Sequence, residues 1–294
     1  MTQAKLFDEE FLKKLEYLYL LSKKVFSGKF QAQTHSKKIG WGMEFADYRS
    51  YNPGDDLRYL DWNLYSRMEQ LVTKLFHEEE NLNVYFLLDV TRSMNYGHPK
   101  KDFYAKRVVA ALAYIALANL DSVHILPFEK DLMEGLSGVR GKGRILKIFE
   151  FLENVPTAET TLFADVARRF VTKAKTRGLV VVVSDFFSEP GFEDGLKIIA
   201  AGRFDLTAIM IHHHYEAFPK YRGAMEFIDS ETGVRVPIQS DAKTLKIYET
   251  EYRQFVDSLR NACFSTGSNF FRTFTEAPFE DLILRLFREG QFVK

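Results

Sequence analysis

The pattern of apolar and polar positions changes character near residue 81. Upstream, apolar side chains recur at helical spacing from Glu9 to Phe26, which predicts an amphipathic helix ended by Gly28. From Lys29 to Glu80 the pattern is irregular, with a turn at Asn52-Pro53-Gly54 and a strand-like stretch at Leu71–Phe76. Downstream, apolar runs alternate with amphipathic ones. Leu82–Leu88 and Leu179–Ser184 have the composition of strands buried on both faces, and each runs into an aspartate, Asp89 and Asp185. Ser122–Phe128, Leu206–His212 and Asn269–Phe274 predict further strands, with Leu132–Leu136 as a hairpin partner for the first. Helices are predicted at Lys101–Leu120, Arg144–Asn154, Phe163–Ala174, 192–202, Ala242–Cys263 and Pro278–Arg288.

This order predicts an α/β fold: a mostly parallel sheet flanked by helices over residues 81–294, preceded by an N-terminal helix and an irregular or β extension over 1–80. Met225–Pro237 reads as a β-hairpin turning at Ser230 to Gly233, inserted at about 222–240. The insertion follows the C-terminal end of a strand. In parallel sheets that edge is where ligands bind.

Composition narrows the function classes. Forty Lys and Arg balance forty Asp and Glu, so no net field draws the chain to nucleic acid or anionic lipid. The one cysteine, Cys263, excludes an internal disulfide and cysteine-cluster metal sites, and reads as a buried helix residue. The first ten residues are charged where a secretory signal is apolar, and the longest uncharged apolar run, Val108–Leu120, is too short to span a bilayer. The expectation is a cytoplasmic protein with no direct membrane insertion.

Three predicted strand-end loops carry oxygen-bearing side chains: Asp89-Val-Thr91-Arg-Ser93, Thr160-Thr161-Leu162 and Ser184-Asp185. Carboxylates with small hydroxyls suit a hard cation, although the same residues also cap helices and make turns. The loops resemble those of the von Willebrand factor A-type domain and its metal-ion-dependent adhesion site. That family's first motif is Asp-x-Ser-x-Ser, and here Thr91 replaces the first serine while keeping a hydroxyl. The resemblance implies Mg²⁺, or Mn²⁺ or Ca²⁺, held by Asp89, Thr91, Ser93, Thr160 (with Thr161 the alternative for the threonine) and Asp185, with an open position filled by an acidic residue of a partner.

A denser pattern lies upstream, in Gly42-Met-Glu44-Phe-Ala-Asp47-Tyr48-Arg49-Ser-Tyr51-Asn-Pro53-Gly54-Asp55-Asp56-Leu-Arg58-Tyr-Leu-Asp61-Trp62, with Arg67 beyond it. It resembles the signature of the prokaryotic domain-of-unknown-function fifty-eight family, whose A-type domain follows directly, and the likeness extends to Asp229-Ser-Glu-Thr-Gly233. Physically, Pro53-Gly54 makes a tight turn, and Asp55 or Asp56 caps a short helix running toward Trp62. Alternating Glu44, Asp47, Arg49, Asp55, Asp56, Arg58 and Asp61 more often builds an ion-pair scaffold than a catalytic centre; a docking surface is the other role open to them. Members of that family are typically encoded beside MoxR-type AAA+ ATPases, which implies an ATPase or its client as partner.

Other signals carry less. Gly141-Lys142-Gly143 lacks the spacing of a phosphate-binding loop. His212, His213 and His214 are adjacent at a strand end, where side chains alternate in direction and cannot readily converge on one ion. No nucleophile elbow is present. The sequence therefore points to a non-enzymatic interaction module with a divalent-metal edge. A metal-free scaffold of the same fold and a metal-dependent hydrolase using Asp89 and Asp185 together with the carboxylates of residues 44–61 are the rival readings.

Overall fold

The computed structural model describes residues 5–33, 39–40, 44–77, 82–157, 163–187, 192–228 and 233–289. The chain divides into two compact units, Lys24–Asn81 and Met1–Lys23 with Leu82–Lys294.

Helix α1 spans Glu9–Gln33 and so passes through Gly28, where the sequence pattern placed its end. One glycine costs a helix only about 1 kcal/mol, and the residues that follow, Lys29-Phe-Gln-Ala-Gln33, tolerate helix. The smaller unit holds an antiparallel sheet of β1 (Ile39–Gly40), β2 (Glu44–Ser50) and β3 (Val72–His77), in the order β1-β3-β2. Between β2 and β3, a 3₁₀ turn at Leu57–Tyr59 and helix α2 (Trp62–Met68) cover part of the chain. Asp56 caps the 3₁₀ turn through the Arg58 N–H, and Asp61 caps α2 by accepting from Asn63 and Leu64 N–H.

In the larger unit, β4 (Asn83–Asp89) leads to α3 (Lys101–Ala118), then β5 (Ser122–Phe128), β6 (Leu136–Val139), α4 (Ile145–Asn154) and α5 (Phe163–Lys173). Strand β7 (Leu179–Ser184) follows, then α6 (Phe192–Ala201), β8 (Asp205–His212) and the short α7 (His214–Ala217). The hairpin β9 (Gly223–Ile228) and β10 (Arg235–Ser240) precedes α8 (Ala242–Ser265), β11 (Asn269–Phe274) and α9 (Phe279–Arg288). The six-stranded sheet runs β11-β8-β7-β4-β5-β6 and is parallel except for β6. The partner of β5 is Leu136–Val139 rather than Leu132–Leu136. Leu132 makes only an isolated bridge to Phe128, because 129–131 close a local turn first.

Helices cover both faces, which explains the unbroken apolar strands. On one side α3 packs against α4 and α9, and every side chain from Val108 to Leu117 is buried. The start of α1 lies over these helices: Phe11 meets Phe149 of α4 and Phe279 of α9. On the other side, Tyr85, Leu87, Val180, Val182, Leu206 and Ala208 alternate inward toward α5, α6 and α8. Cys263 is buried among them. The chain leaves β4 toward β5 on one side and β7 toward β8 on the other, so their adjacent ends flank a topological switch point, the position at which open α/β sheets usually bind ligands.

Candidate functional site

The end of β4 folds back on its own aspartate. Asp89 is buried; its Oδ1 accepts from the Thr91 N–H at 3.0 Å and the Thr91 hydroxyl at 2.8 Å. Its Oδ2 accepts from the Ser184 hydroxyl at 2.5 Å, across from the end of β7. Thr91 Oγ1 and Ser93 Oγ lie 2.9 Å apart, at the start of a 3₁₀ turn (Arg92–Asn95) anchored by buried Met94. Burial, then the nearby charge of Asp185, pushes the Asp89 carboxyl up to about 7, against the pull of the Ser184 and Thr91 hydrogen bonds.

The end of β7 is organised around a second carboxylate. Ser184 Oγ accepts from the Phe186 N–H at 2.8 Å while donating to Asp89, and Asp185 Oδ1 accepts from the Phe187 N–H at 3.1 Å. Asp185 Oδ2 takes the Lys101 ammonium at 2.7 Å, with both side chains sealed from solvent. The same Nζ pairs with Glu216 Oε1, and the rings of Tyr96 and Phe187 lie 5.8 and 5.4 Å from it. Glu216 Oε2 accepts from the His213 N–H at 2.8 Å, closing a capping box on α7. Burial alone would raise Asp185, but the Lys101 charge overrides it and holds this carboxyl below its ordinary value. For Glu216 burial wins and the carboxyl is raised. Burial would lower Lys101; its two carboxylates overcome that and raise it.

His212 braces the loop from behind. Its Nε2 lies 2.7 Å from the Asp185 carbonyl and therefore donates, leaving Nδ1 to accept the Tyr252 hydroxyl at 2.6 Å. Burial drops its pKa to about 4, so it is neutral. His213 caps α7 and pairs with Glu276 at 3.2 Å, while the His214 N–H also donates to Glu276. The three histidines thus do different jobs.

Asp89, Thr91, Ser93 and Asp185 share the C-terminal edge of β4 and β7. Thr160 and Thr161 lie outside the described residues. A divalent ion spanning the two strand ends fits this arrangement only on the Asp89 side, where hydroxyls and a carboxylate cluster. Asp185 differs from Asp89 in that one oxygen holds a buried ammonium and the other a backbone N–H, so it already faces a cation supplied by the chain. Among the described residues no group of three or more His, Cys, Asp or Glu is placed to hold a metal. Lys101 and Glu216 escaped the sequence reading. One signal was on view: Lys100 and Lys101 open α3, where the helix dipole disfavours cations, so a lysine there needs carboxylate partners.

The upstream signature forms local pairs within the smaller unit. Arg49 forks onto Asp55 at 2.7 and 2.8 Å, and Asp55 also accepts from the Asn52 N–H. Asp55 therefore ties β2 to the Pro53-Gly54 turn, and the capping falls to Asp56 and Asp61. Arg58 folds onto Asp56 at 2.6 Å with 78% of its side chain exposed. Asp61 is buried, accepting from the Tyr48 hydroxyl at 3.0 Å and pairing with Lys74 at 3.1 Å. Glu44 opens β2 opposite His77, Asp47 accepts from the Tyr48 N–H, and Trp62 is exposed. Ion pairs and caps account for most of these polar side chains.

Fold and site together define a mixed α/β module whose strand-end carboxylates are satisfied by the chain's own donors. The chain belongs to the family described as "Protein of unknown function DUF58", whose model matches residues 47–256. Among curated relatives, "Uncharacterized protein Rv1480" of Mycobacterium tuberculosis is 24% identical over 204 residues, covering 66% of this chain. The chain spans 63% of the length of the curated relatives it matches. Similar solved structures include the conserved hypothetical protein BatB from Bacteroides thetaiotaomicron, at 12% identity and TM-score 0.45, covering 71% of this chain and 97% of that one. Another is the pilus adhesin SpaC from Lactobacillus rhamnosus GG, at 8% identity and TM-score 0.47, covering 72% and 30%. No helix among the described residues is long and apolar enough to cross a membrane.

Proposed function

We propose that this chain is a non-enzymatic, cytoplasmic protein-interaction module of von Willebrand factor A-like fold. It offers the C-terminal edge of its sheet to a protein partner, a MoxR-type AAA+ ATPase or that ATPase's client. One observation carries the reading. Tyr96, Phe187, Tyr215, Phe218 and Tyr221 are each 39–46% exposed on α7 and the loops around this edge, while the polar groups inside it are paired with one another. Clustered exposed aromatics mark protein-binding surfaces, and tyrosine is enriched among the side chains that dominate binding energy. A hydrolase would need a carboxylate poised to take a proton from water or substrate. Asp89 and Asp185 already accept hydrogen bonds on both oxygens, and of the upstream carboxylates Asp55, Asp56 and Asp61 are taken up by ion pairs and caps. Family membership supports an interaction role, and the adjacency of ATPase genes in the family supports the partner class.

The test uses the purified chain and a MoxR-type AAA+ ATPase, measured by calorimetry with and without chelator. Tyr215→Ala combined with Tyr221→Ala is expected to weaken binding by about tenfold or more. Unchanged affinity in that variant, no binding by the wild type, or turnover of phosphoesters or peptides by the chain alone would each overturn the reading.

A further inference from the structure

Beneath the aromatic rim of this edge lies a sealed cluster of Lys101, Asp185 and Glu216. Its three side chains come from the first residue of α3, the end of β7 and α7. Lys101 is fully buried, yet it is a long, strongly hydrated cation, the kind of side chain that is almost never buried unless paired. Two carboxylate oxygens reach its nitrogen and two aromatic rings flank it. This shell of hard oxygens, closed off by rings, suits a cation, and the cation in it is covalently part of the chain.

We infer that the Lys101 ammonium is the resident cation of this sheet edge, standing where the family resemblance would put a divalent ion's charge against Asp185. Its first consequence is electrostatic. Asp185 and Glu216 are both withdrawn from solvent, and Lys101 compensates the like charges that would otherwise repel. The second consequence is architectural. Glu216 uses its other oxygen to cap α7, so the ammonium fastens the segment leading into the β9–β10 hairpin to the end of β7. A soluble metal ion would make that attachment depend on ion concentration. A lysine makes it permanent. On this inference Asp185 does not bind Mg²⁺ or Mn²⁺ in the folded protein, and the edge keeps its shape in chelator.

The experiment reads metal binding and stability on the full chain, so its failure leaves the partner-binding reading untouched. Mn²⁺ is titrated against the wild type and Asp185→Asn, with free Mn²⁺ followed by electron paramagnetic resonance, and Tm is measured in chelator, Mg²⁺ and Mn²⁺. The expected result is one Tm in all three buffers and the same Mn²⁺ titration in both proteins. Mn²⁺ binding that Asp185→Asn abolishes would overturn the inference. Lys101→Met is expected to lower Tm by roughly 5–15 °C or prevent folding, as removing one partner of a buried pair does. The triple variant Lys101→Met, Asp185→Asn, Glu216→Gln, which removes the uncompensated charge, should regain folding and much of the lost Tm. A triple variant no better than Lys101→Met would show that Lys101 acts by packing, and the inference would fall.

Discussion

Ser184 and Asp89 meet at 2.5 Å across the ends of two neighbouring parallel strands, and that hydrogen bond joins the two halves of the site. Ser184 also accepts from the Phe186 N–H, so one hydroxyl fixes both the Asp89 carboxylate and the left-handed turn at Phe186. Beside it, Asp185 faces Lys101 and not Asp89. Two carboxylates on adjacent strands are thereby sorted into different environments: Asp89 among hydroxyls, Asp185 against an ammonium. The sorting explains why one is pushed up to about 7 while the other is held below its ordinary value.

The link from Glu216 to both Lys101 and the His213 N–H predicts a local effect of Glu216→Gln. The amide keeps an acceptor for the cap but loses the charge facing Lys101. Stability should fall by about 1–3 kcal/mol in chemical denaturation. Hydrogen exchange should quicken across residues 213–228, while β4 and β7 amides stay protected. Uniform quickening across the sheet would mean that Glu216 does not act through α7.

In the smaller unit, Arg58 and Asp61 separate cleanly. Arg58→Ala removes an exposed pair with its near neighbour Asp56 and should leave the urea midpoint essentially unchanged. Asp61→Ala removes the cap of α2 and the partner of Lys74, and should lower the urea midpoint clearly. Tryptophan emission during urea unfolding measures both. Equal effects would refute the division of roles.

Asp61 also predicts a pH dependence. The hydrogen bond from Lys74, then the Leu64 N–H, with the Tyr48 hydroxyl adding to them, hold its carboxyl at about 2, below the ordinary 3.8. A lowered acid binds its proton less readily folded than unfolded, so its stabilisation is whole above 3.8 and drains away as pH falls toward 2. Asp61→Asn should be less stable than the wild type at pH 6, and the gap should close on acidification. A gap that stays constant down to pH 2 would assign the effect to shape and not to charge.

Much of the larger unit was legible because its strands are buried on both faces. Asn269–Phe274 was read from sequence to the residue, and Leu179–Ser184 likewise, since runs of valine and phenylalanine admit few alternatives. Strand β2 was not legible. Glu44-Phe-Ala-Asp-Tyr-Arg-Ser50 carries charges where a buried strand has none, and only its pairing with β3 makes it a strand. The loops bearing Asp89 and Asp185 were legible as strand ends, but not what surrounds them. Lys101 lies 84 residues from Asp185 and 115 from Glu216, and no local pattern encodes a contact of that range. Hydrophobic periodicity specifies elements; polar pairs at strand ends depend on how the elements are brought together.

β4 and β7 approach closely at the end of the sheet opposite the site. Gly178 immediately precedes β7, and a Cβ built on it would lie 2.0 Å from the Asn83 carbonyl oxygen at the start of β4. That atom belongs to the backbone of a central strand and cannot swing aside as a side chain would. Asp205 also donates its N–H to the Gly178 carbonyl, so the residue is held from the β8 side as well. Gly178→Ala must therefore push β7 away from β4 or break the first rung of their ladder. Overpacking of this kind costs about 1–3 kcal/mol and sometimes more. Gly143→Ala is the control, because a Cβ there meets nothing within 4 Å. Thermal unfolding of the two variants should show a clear loss for Gly178→Ala and little change for Gly143→Ala. Since the strand ends carry Asp89 and Ser184 on the same two strands, the displaced β7 should also lengthen their hydrogen bond. That lengthening is visible as faster exchange of the Thr91 and Phe186 amides, and a Gly178→Ala protein with wild-type Tm and wild-type exchange at both positions would refute the close approach.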